Sequence, residues 1–275
     1  MTCLETHDFF AETVGARVEY KTLAPDGVRA GAPLPLVLHL HGAMSSSASL
    51  AAAEPAYAAA WAQGVLPPAV VACASTPTLG GFYMDYPGGP QWETLLADEL
   101  PRRLAGQYSL MGHSLMGKAA LIGFSMGGYG ALKLALRRPE AFAAVAALCP
   151  VIFPADAAAD VPARNRPSIL GDLNAAMGAD AESYSRNCVP ALLSRNADAV
   201  RAADLRIFLD CGDADEFHLH DGAVYLHERL KALAIAHVFR SVSGARHADE
   251  QAPARQDAAI RFLGEALKGR PADPT

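Results

Sequence analysis

Ten residues constrain this chain more than any others: Ile122-Gly123-Phe124-Ser125-Met126-Gly127-Gly128-Tyr129-Gly130-Ala131. An apolar strand, Ala119 to Phe124, runs into G-F-S-M-G, and a helical segment, Gly130 to Arg137, runs out of it. A serine at such a strand-turn-helix junction has its hydroxyl thrust out at the top of a sheet. The residues two before and two after must be small, because a Cβ at Gly123 or Gly127 would meet the opposing backbone. The motif thus requires a sheet with a helix crossing over it, and it offers an exposed nucleophile.

The remainder of the chain supplies that sheet. Strand-like runs recur at Leu36–Leu40, Ala69–Cys73, Ala119–Gly123, Val145–Cys149, Leu205–Leu209 and His237–Val242. Most are continuous apolar runs, the pattern of strands covered on both faces, so a mostly parallel sheet is expected. Helical spacing of apolar residues marks Trp92–Leu104, Gly130–Arg137, Ala223–Ala234 and Gln256–Leu267, with Pro101 expected to kink or end the first. The βαβ alternation implies right-handed crossovers and a doubly wound α/β fold. Residues 153–203 break the rhythm. They are rich in Pro, Asp, Asn and Ala and read as a cap-like insertion over the carboxyl edge of one domain spanning 1–275. The tail after Lys268 reads as frayed.

Composition excludes several classes. The 275 residues are 51% hydrophobic, enough for a large core in a single domain. A net charge of −6 leaves no electrostatic footprint for nucleic acid. No run of eighteen apolar residues suggests a membrane span. The start has neither a basic nor an apolar leader segment, and the five cysteines have no C-x-x-C spacing. Both point to reduced thiols and a cytoplasmic location.

A serine hydroxyl needs a base, and the base needs an acid to orient it. On a strand-turn-helix scaffold these follow in the chain order Ser, acid, His. His7, His39, His41 and His113 precede Ser125 and drop out. His227 sits in a helix pattern, His237 opens a strand, and His218 and His220 lie just past the acid loop. His247, in the loop Gly244-Ala245-Arg246-His247 after the last strand, is the expected base. The acid should follow Leu205–Leu209, where Asp210, Asp213, Asp215 and Glu216 crowd one loop, and pattern alone does not rank them. Two backbone N–H groups should face the developing oxyanion. Met126, after the nucleophile, supplies one, and Ala43, in the early loop His41-Gly42-Ala43-Met44, supplies the other. His41 reads as the residue that orders that loop. A metal at His39/His41 or His218/His220 would rest on H-x-H spacing alone, so no metal or cofactor is expected. Ser114, in Gly112-His113-Ser114-Leu115-Met116-Gly117, imitates the motif but has no strand before it and its second glycine one place late. Cys149 reads as a buried thiol, and Arg164 and Arg166 as solvated loop residues.

At these residues the chain resembles a known family. G-F-S-M-G-G-Y-G-A-L resembles the elbow of the esterase D-type group of α/β-hydrolases, which includes S-formylglutathione hydrolases, feruloyl and acetyl-sugar esterases, siderophore esterases and mycolyltransferases. Leu40-His41-Gly42 resembles the group's oxyanion loop. Gly81-Phe82-Tyr83-Met84-Asp85, Trp92-Glu93-Thr94 and Asp98-Glu99-Leu100-Pro101 resemble its F-Y-x-D, W-E-T and E-L-P stretches. Gly212-x-x-Asp215-x-Phe217 resembles its acid loop, and the resemblance selects Asp215. By resemblance Glu93 and Asp85 lie near the site, buttressing the oxyanion loop or capping the helix near Trp92. The resemblance covers residues 10 to 267 and implies an α/β-hydrolase fold and a serine esterase of small-molecule esters, with thioesters also open. One departure bears on formylglutathione as a substrate: S-formylglutathione hydrolases carry a Thr-Cys after the oxyanion-loop Gly and Leu, where Ala43-Met44-Ser45-Ser46 stands here. Acyl transfer to an alcohol would use the same residues. A non-catalytic binding protein on this scaffold would be expected to have lost one of them.

Overall fold

The computed structural model describes residues 1–26, 33–110, 119–178 and 180–268. Ser114 and its motif, and the tail after Lys268, lie outside them. Eight strands form one sheet: β1 (Thr2–Ala11), β2 (Ala16–Pro25), β3 (Leu36–Leu40), β4 (Val70–Ala74), β5 (Ala119–Phe124), β6 (Phe142–Leu148), β7 (Arg206–Gly212) and β8 (His237–Val242). Their order is β1-β2-β4-β3-β5-β6-β7-β8. β1 and β2 pair antiparallel, as do β2 and β4, and every pair from β4 to β8 is parallel.

The helices are α1 (Ala48–Ala62), α2 (Trp92–Thr94), α3 (Leu100–Ala105), α4 (Met126–Arg137), α5 (Ile169–Ala176), α6 (Ala181–Asn187), α7 (Val189–Ala202), α8 (Leu219–Ala232) and α9 (Ala252–Lys268). They cover both faces of the sheet, and two buried apolar clusters result. One is built around Leu38, Leu121, Tyr129, Val145 and Leu209, the other around Val37, Ile122, Ala146, Phe208 and Leu263. Neighbouring residues of one strand fall in opposite clusters, as the two-residue repeat of a strand demands. Burial on both faces is why the central strands read as continuous apolar runs. No helix among the described residues is long and apolar enough to cross a membrane.

Three departures from the sequence expectation have physical reasons. β1 and β2 form an edge hairpin, so they alternate instead of running apolar. Val18, Tyr20 and Thr22 are buried while Arg17, Glu19 and Lys21 are less so. α1 is alanine-rich with no sharply amphipathic face, yet Leu50, Ala53, Tyr57 and Ala60 are buried at helical spacing. Pro101 does not end its helix. A π turn at Leu95–Glu99 precedes it, and the helix continues to Ala105.

Residues 153–203 connect β6 to its parallel neighbour β7. A parallel connection needs a crossover, and α7, packed against α4, provides it. α5 stands closer to the carboxyl edge of the sheet.

The two glycines of the elbow are close-approach positions. A Cβ on Gly123 would lie 2.1 Å from the Gly127 carbonyl oxygen, and one on Gly127 would lie 2.0 Å from the Leu40 carbonyl oxygen. Gly127→Ala should therefore cost at least about 3 kcal/mol, since the obstruction is backbone and cannot turn aside. Gly64→Ala, at φ +64° with nothing within 4 Å, should cost only about 1–2 kcal/mol. Urea denaturation of both variants checks this; equal losses would mean that the elbow can relax.

Candidate active site

Ser125 occupies the turn between β5 and α4 with φ +56° and ψ −117°. That conformation is costly for a residue with a Cβ and persists only where the surroundings over-determine it. Here the Ser125 N–H donates to the Leu148 carbonyl at 2.8 Å, and its own carbonyl accepts from Tyr129 and Val151 N–H, both at 3.1 Å. The hydroxyl is held at the sheet's carboxyl edge.

His247 and Asp215 converge on it. His247 Nε2 lies 3.1 Å from Ser125 Oγ, and His247 Nδ1 lies 2.7 Å from Asp215 Oδ2. The other carboxylate oxygen accepts from Phe217 N–H at 2.9 Å and Leu219 N–H at 3.4 Å. Phe124 and Phe217 pack their rings against the imidazole. Burial disfavours charge on Asp215, but the hydrogen bond and charge of His247 and the two N–H groups outweigh it and hold the carboxyl below its usual range. Burial likewise works against a charged His247. Asp215 and the Cys149 sulfur outweigh it, raising the imidazole pKa to about 9.

All four acids of the crowded loop serve the His247 loop, each in a different way. Asp210 is fully buried and pairs with Arg255, Nε to Oδ1 at 2.5 Å. Asp213 is exposed and accepts from Gly244 N–H at 2.7 Å. Glu216 accepts from the backbone N–H of His247 at 3.0 Å. Only Asp215 reaches the imidazole.

On the other side of Ser125 stands the 41–44 loop. The Nε2 of His41 accepts from Thr76 N–H at 2.9 Å, so its proton sits on Nδ1, which donates to the Gly42 carbonyl at 2.8 Å. A trans peptide points its C=O and the following N–H in opposite directions. Fixing the Gly42 carbonyl toward the His41 ring therefore fixes where Ala43 N–H points. Among the described residues nothing accepts that N–H or the Met126 N–H at the start of α4. Ala43 lines the cavity with Ser125, whereas the Met126 side chain is buried in the core.

Two buried networks hold these loops; Glu93 was expected near the site by resemblance, while their cations, Lys133 and Arg255, are the members that sequence reasoning missed. Lys133 of α4 lies 2.9 Å from Glu93 and donates to the Tyr83 carbonyl at 3.0 Å, and the Tyr83 hydroxyl donates to the His41 carbonyl at 2.9 Å. Glu93 thus buttresses the loop through Lys133 and Tyr83. Asp85 caps the helix instead, accepting from Glu93 N–H at 2.8 Å and Thr94 N–H at 3.0 Å. A lysine inside the apolar run of α4 was the available signal. The second network centres on Arg255, which reaches Asp210, the Arg246 carbonyl at 3.2 Å and the Cys149 sulfur at 2.8 Å. Its signal was its place on the buried stripe of α9, four residues before Ala259. The Cys211 thiol and Arg255 hold the Cys149 thiol below its usual range against the effect of burial.

The remaining candidates lie elsewhere or are engaged. His39 bonds the Tyr57 hydroxyl at 3.1 Å, and burial with His41 beside it lowers its pKa to about 4. His220 bonds Ser241, and His227 bonds His237. Arg164 pairs with Asp221, and both it and Arg166 are exposed. Cys149, Cys211 and Asp215 are close enough to share a metal ion. Arg255 already occupies the Cys149 sulfur, however, and His247 with two N–H groups occupies the Asp215 carboxylate.

The site opens into a cavity of about 650 Å³. The family model described as "Putative esterase" matches residues 11–251. The chain belongs to this esterase family. Membership makes the protein a carboxylic ester hydrolase acting on small-molecule esters. Solved structures share the fold. A ferulic acid esterase has a TM-score of 0.79 at 19% identity, covering 97% of this chain and 98% of its own. An S-formylglutathione hydrolase from Agrobacterium tumefaciens reaches 0.72 at 21%, covering 96% and 95%. A substrate-bound fluorophosphonate-binding serine hydrolase of Staphylococcus aureus reaches 0.69 at 17%, covering 98% and 99%.

The Arg255–Asp210 pair lends itself to a stability test. Arg255→Met should destabilise the esterase by about 3 kcal/mol, because the buried Asp210 loses its 2.5 Å partner and keeps only Arg240 at 3.6 Å. Adding Asp210→Asn should restore part of that loss. Denaturation across the double-mutant cycle measures the coupling, and additive losses would show that the two groups do not depend on each other.

Proposed function

We propose that the esterase works by nucleophilic catalysis at Ser125, with His247 as general base and then general acid, and Asp215 as its orienting acid. The observation that carries the reading is the unbroken line Asp215 Oδ2, His247 Nδ1, His247 Nε2, Ser125 Oγ, with contacts of 2.7 and 3.1 Å. Neutral His247 takes the Ser125 proton as Oγ attacks the acyl carbon. The imidazolium so formed is stabilised by Asp215, whose carboxyl stays ionised. His247 then protonates the departing alcohol, and water resolves the acyl-enzyme by the same steps in reverse order. The N–H groups of Ala43 and Met126 hold the oxyanion. Both lack a protein acceptor among the described residues, and the Ala43 peptide is aimed by His41. No step calls for a metal or cofactor. Residues 153–203 contribute through α5, whose Ile169, Leu170 and Leu173 wall one side of the cavity.

Ser125→Ala should lower ester hydrolysis by about four to six orders of magnitude and abolish fluorophosphonate labelling. Labelling of the alanine variant would sink the assignment. Asp215→Asn should lose about 10⁴ in turnover. Asp213→Asn, which disturbs only the Gly244 N–H contact, should keep at least about a tenth of the rate, a barrier change within roughly 1.4 kcal/mol. If the asparagine at 213 proves the worse, the acid is misassigned.

The pH profile departs from that of an ordinary histidine. Protonated His247 cannot accept the Ser125 proton, so activity is low below its pKa and rises as pH passes through it. With that pKa raised to about 9, the rising limb of kcat/KM should lie well above the ordinary range near about 6.5. A limb centred at or below 6.5 would show that Asp215 and Cys149 do not stabilise the charged ring.

A further inference from the structure

The cavity extends far beyond what an ester bond needs, and its walls come from both sides of the sheet edge. On one side stand Val151, Leu173 and Leu219, which belong to the larger buried cluster. On the other stand the N-terminal halves of α1 and α9, two helices in contact with each other, with Phe124 also on the wall. They present Ser49 and Ala53 from α1, with Ala252 and Gln256 from α9. Small residues on both helices leave a slot where larger ones would have closed the packing.

Two polar groups border this slot without being well used. Gln256 Nε2 is buried and has no hydrogen-bond partner among the described residues. Ser49 Oγ, on the facing helix, has only the sulfur of Cys73 at 3.6 Å among the described side chains. An unpaired buried amide costs about 1–3 kcal/mol, so a ligand oxygen that satisfies it gains what the free protein forgoes. Few polar groups converging in an apolar pocket is the usual form of a specificity site. The charge of that oxygen is also constrained. Two cations line the cavity among the described residues, and both are committed: Arg255 to Asp210 and Cys149, and His247, with its pKa raised to about 9, to Asp215. His39, also on the wall, has its pKa lowered to about 4 and is neutral. A buried carboxylate would find no uncommitted counter-charge here, and burying an unpaired charge is far costlier than burying a hydroxyl.

We propose that the slot between α1 and α9 is a specificity subsite for an apolar arm of the ester that ends in an uncharged oxygen, held by Gln256 and Ser49. The proposal rests on Ser125 as the reacting centre. A matched set of esters tests both. p-Nitrophenyl 8-hydroxyoctanoate is compared with p-nitrophenyl nonanoate, and 8-hydroxyoctyl acetate with nonyl acetate, so the arm lies on the acyl side in one pair and on the alcohol side in the other. In at least one pair the wild type should favour the hydroxylated ester by about tenfold or more in kcat/KM. Gln256→Leu should collapse that ratio to about one or invert it, and Ser49→Ala should reduce it. Ala53→Phe should lower both long esters of that pair relative to p-nitrophenyl acetate by about tenfold or more. A wild-type ratio near one in both pairs would overturn the subsite, as would an unchanged ratio in a folded Gln256→Leu and Ser49→Ala. Hydrolysis of p-nitrophenyl acetate that survives Ser125→Ala would instead overturn the reading of the reacting centre.

Discussion

The structure depends on one strained residue. A serine at φ +56° would relax if it could, and the fold denies it the room. Two carbonyl oxygens stand where a Cβ at Gly123 or Gly127 would go, so β5, α4 and β3 are in backbone contact around the turn. Three backbone hydrogen bonds, to Leu148, Tyr129 and Val151, tie the same residue to β6 and to its own helix. The close packing that forces the strain also points the hydroxyl out of the sheet, so the local cost and the functional geometry share one cause.

Around that turn, charge is used twice, both times in the interior. Glu93 and Lys133 are each nearly inaccessible, and their pairing carries through Tyr83 to His41 and the Gly42 peptide. Arg255 does the same for the opposite loop, joining Asp210, Cys149 and the Arg246 carbonyl. Buried pairs of this kind are weak evidence for stability, since apolar packing of equal volume can do as well. What they do here is positional: each ends on a loop that has no regular structure of its own.

The legible part of the sequence was the part governed by local rules. G-F-S-M-G, the apolar runs of β3 to β8 and the loop histidine at 247 each carry their meaning within a few residues. The hairpin β1–β2 is not legible as a continuous apolar run, because a strand at the sheet edge with one face covered alternates. α1 was missed because alanine fits a helix without marking a face. The acid was not resolvable by spacing, because Asp210, Asp213, Asp215 and Glu216 all serve the same neighbouring loop. Which of them reaches the imidazole is decided by the turn at Gly212, a matter of three-dimensional direction. Arg255 and Lys133 stand out in the sequence only as charges on buried helix stripes, and their partners are illegible for a related reason. A charged residue on a helix gives no hint of its partner when that partner lies some forty residues away in the chain, as Glu93 and Asp210 do.

The strand order has a consequence for the life of the polypeptide. From the middle of the sheet outward, β5, β6, β7 and β8 are laid side by side in the order in which a ribosome delivers them. Ser125 emerges with the first of these, Asp215 after the third and His247 only after the last. A nascent chain can pack Gly127 against Leu40 of β3 early, but the elbow gains its Leu148 and Val151 hydrogen bonds only with β6, and until residue 247 is added its hydroxyl has no imidazole beside it. On the proposed mechanism the hydroxyl is therefore without its base through most of translation, until the outermost strand and the α9 helix that follows it are in place.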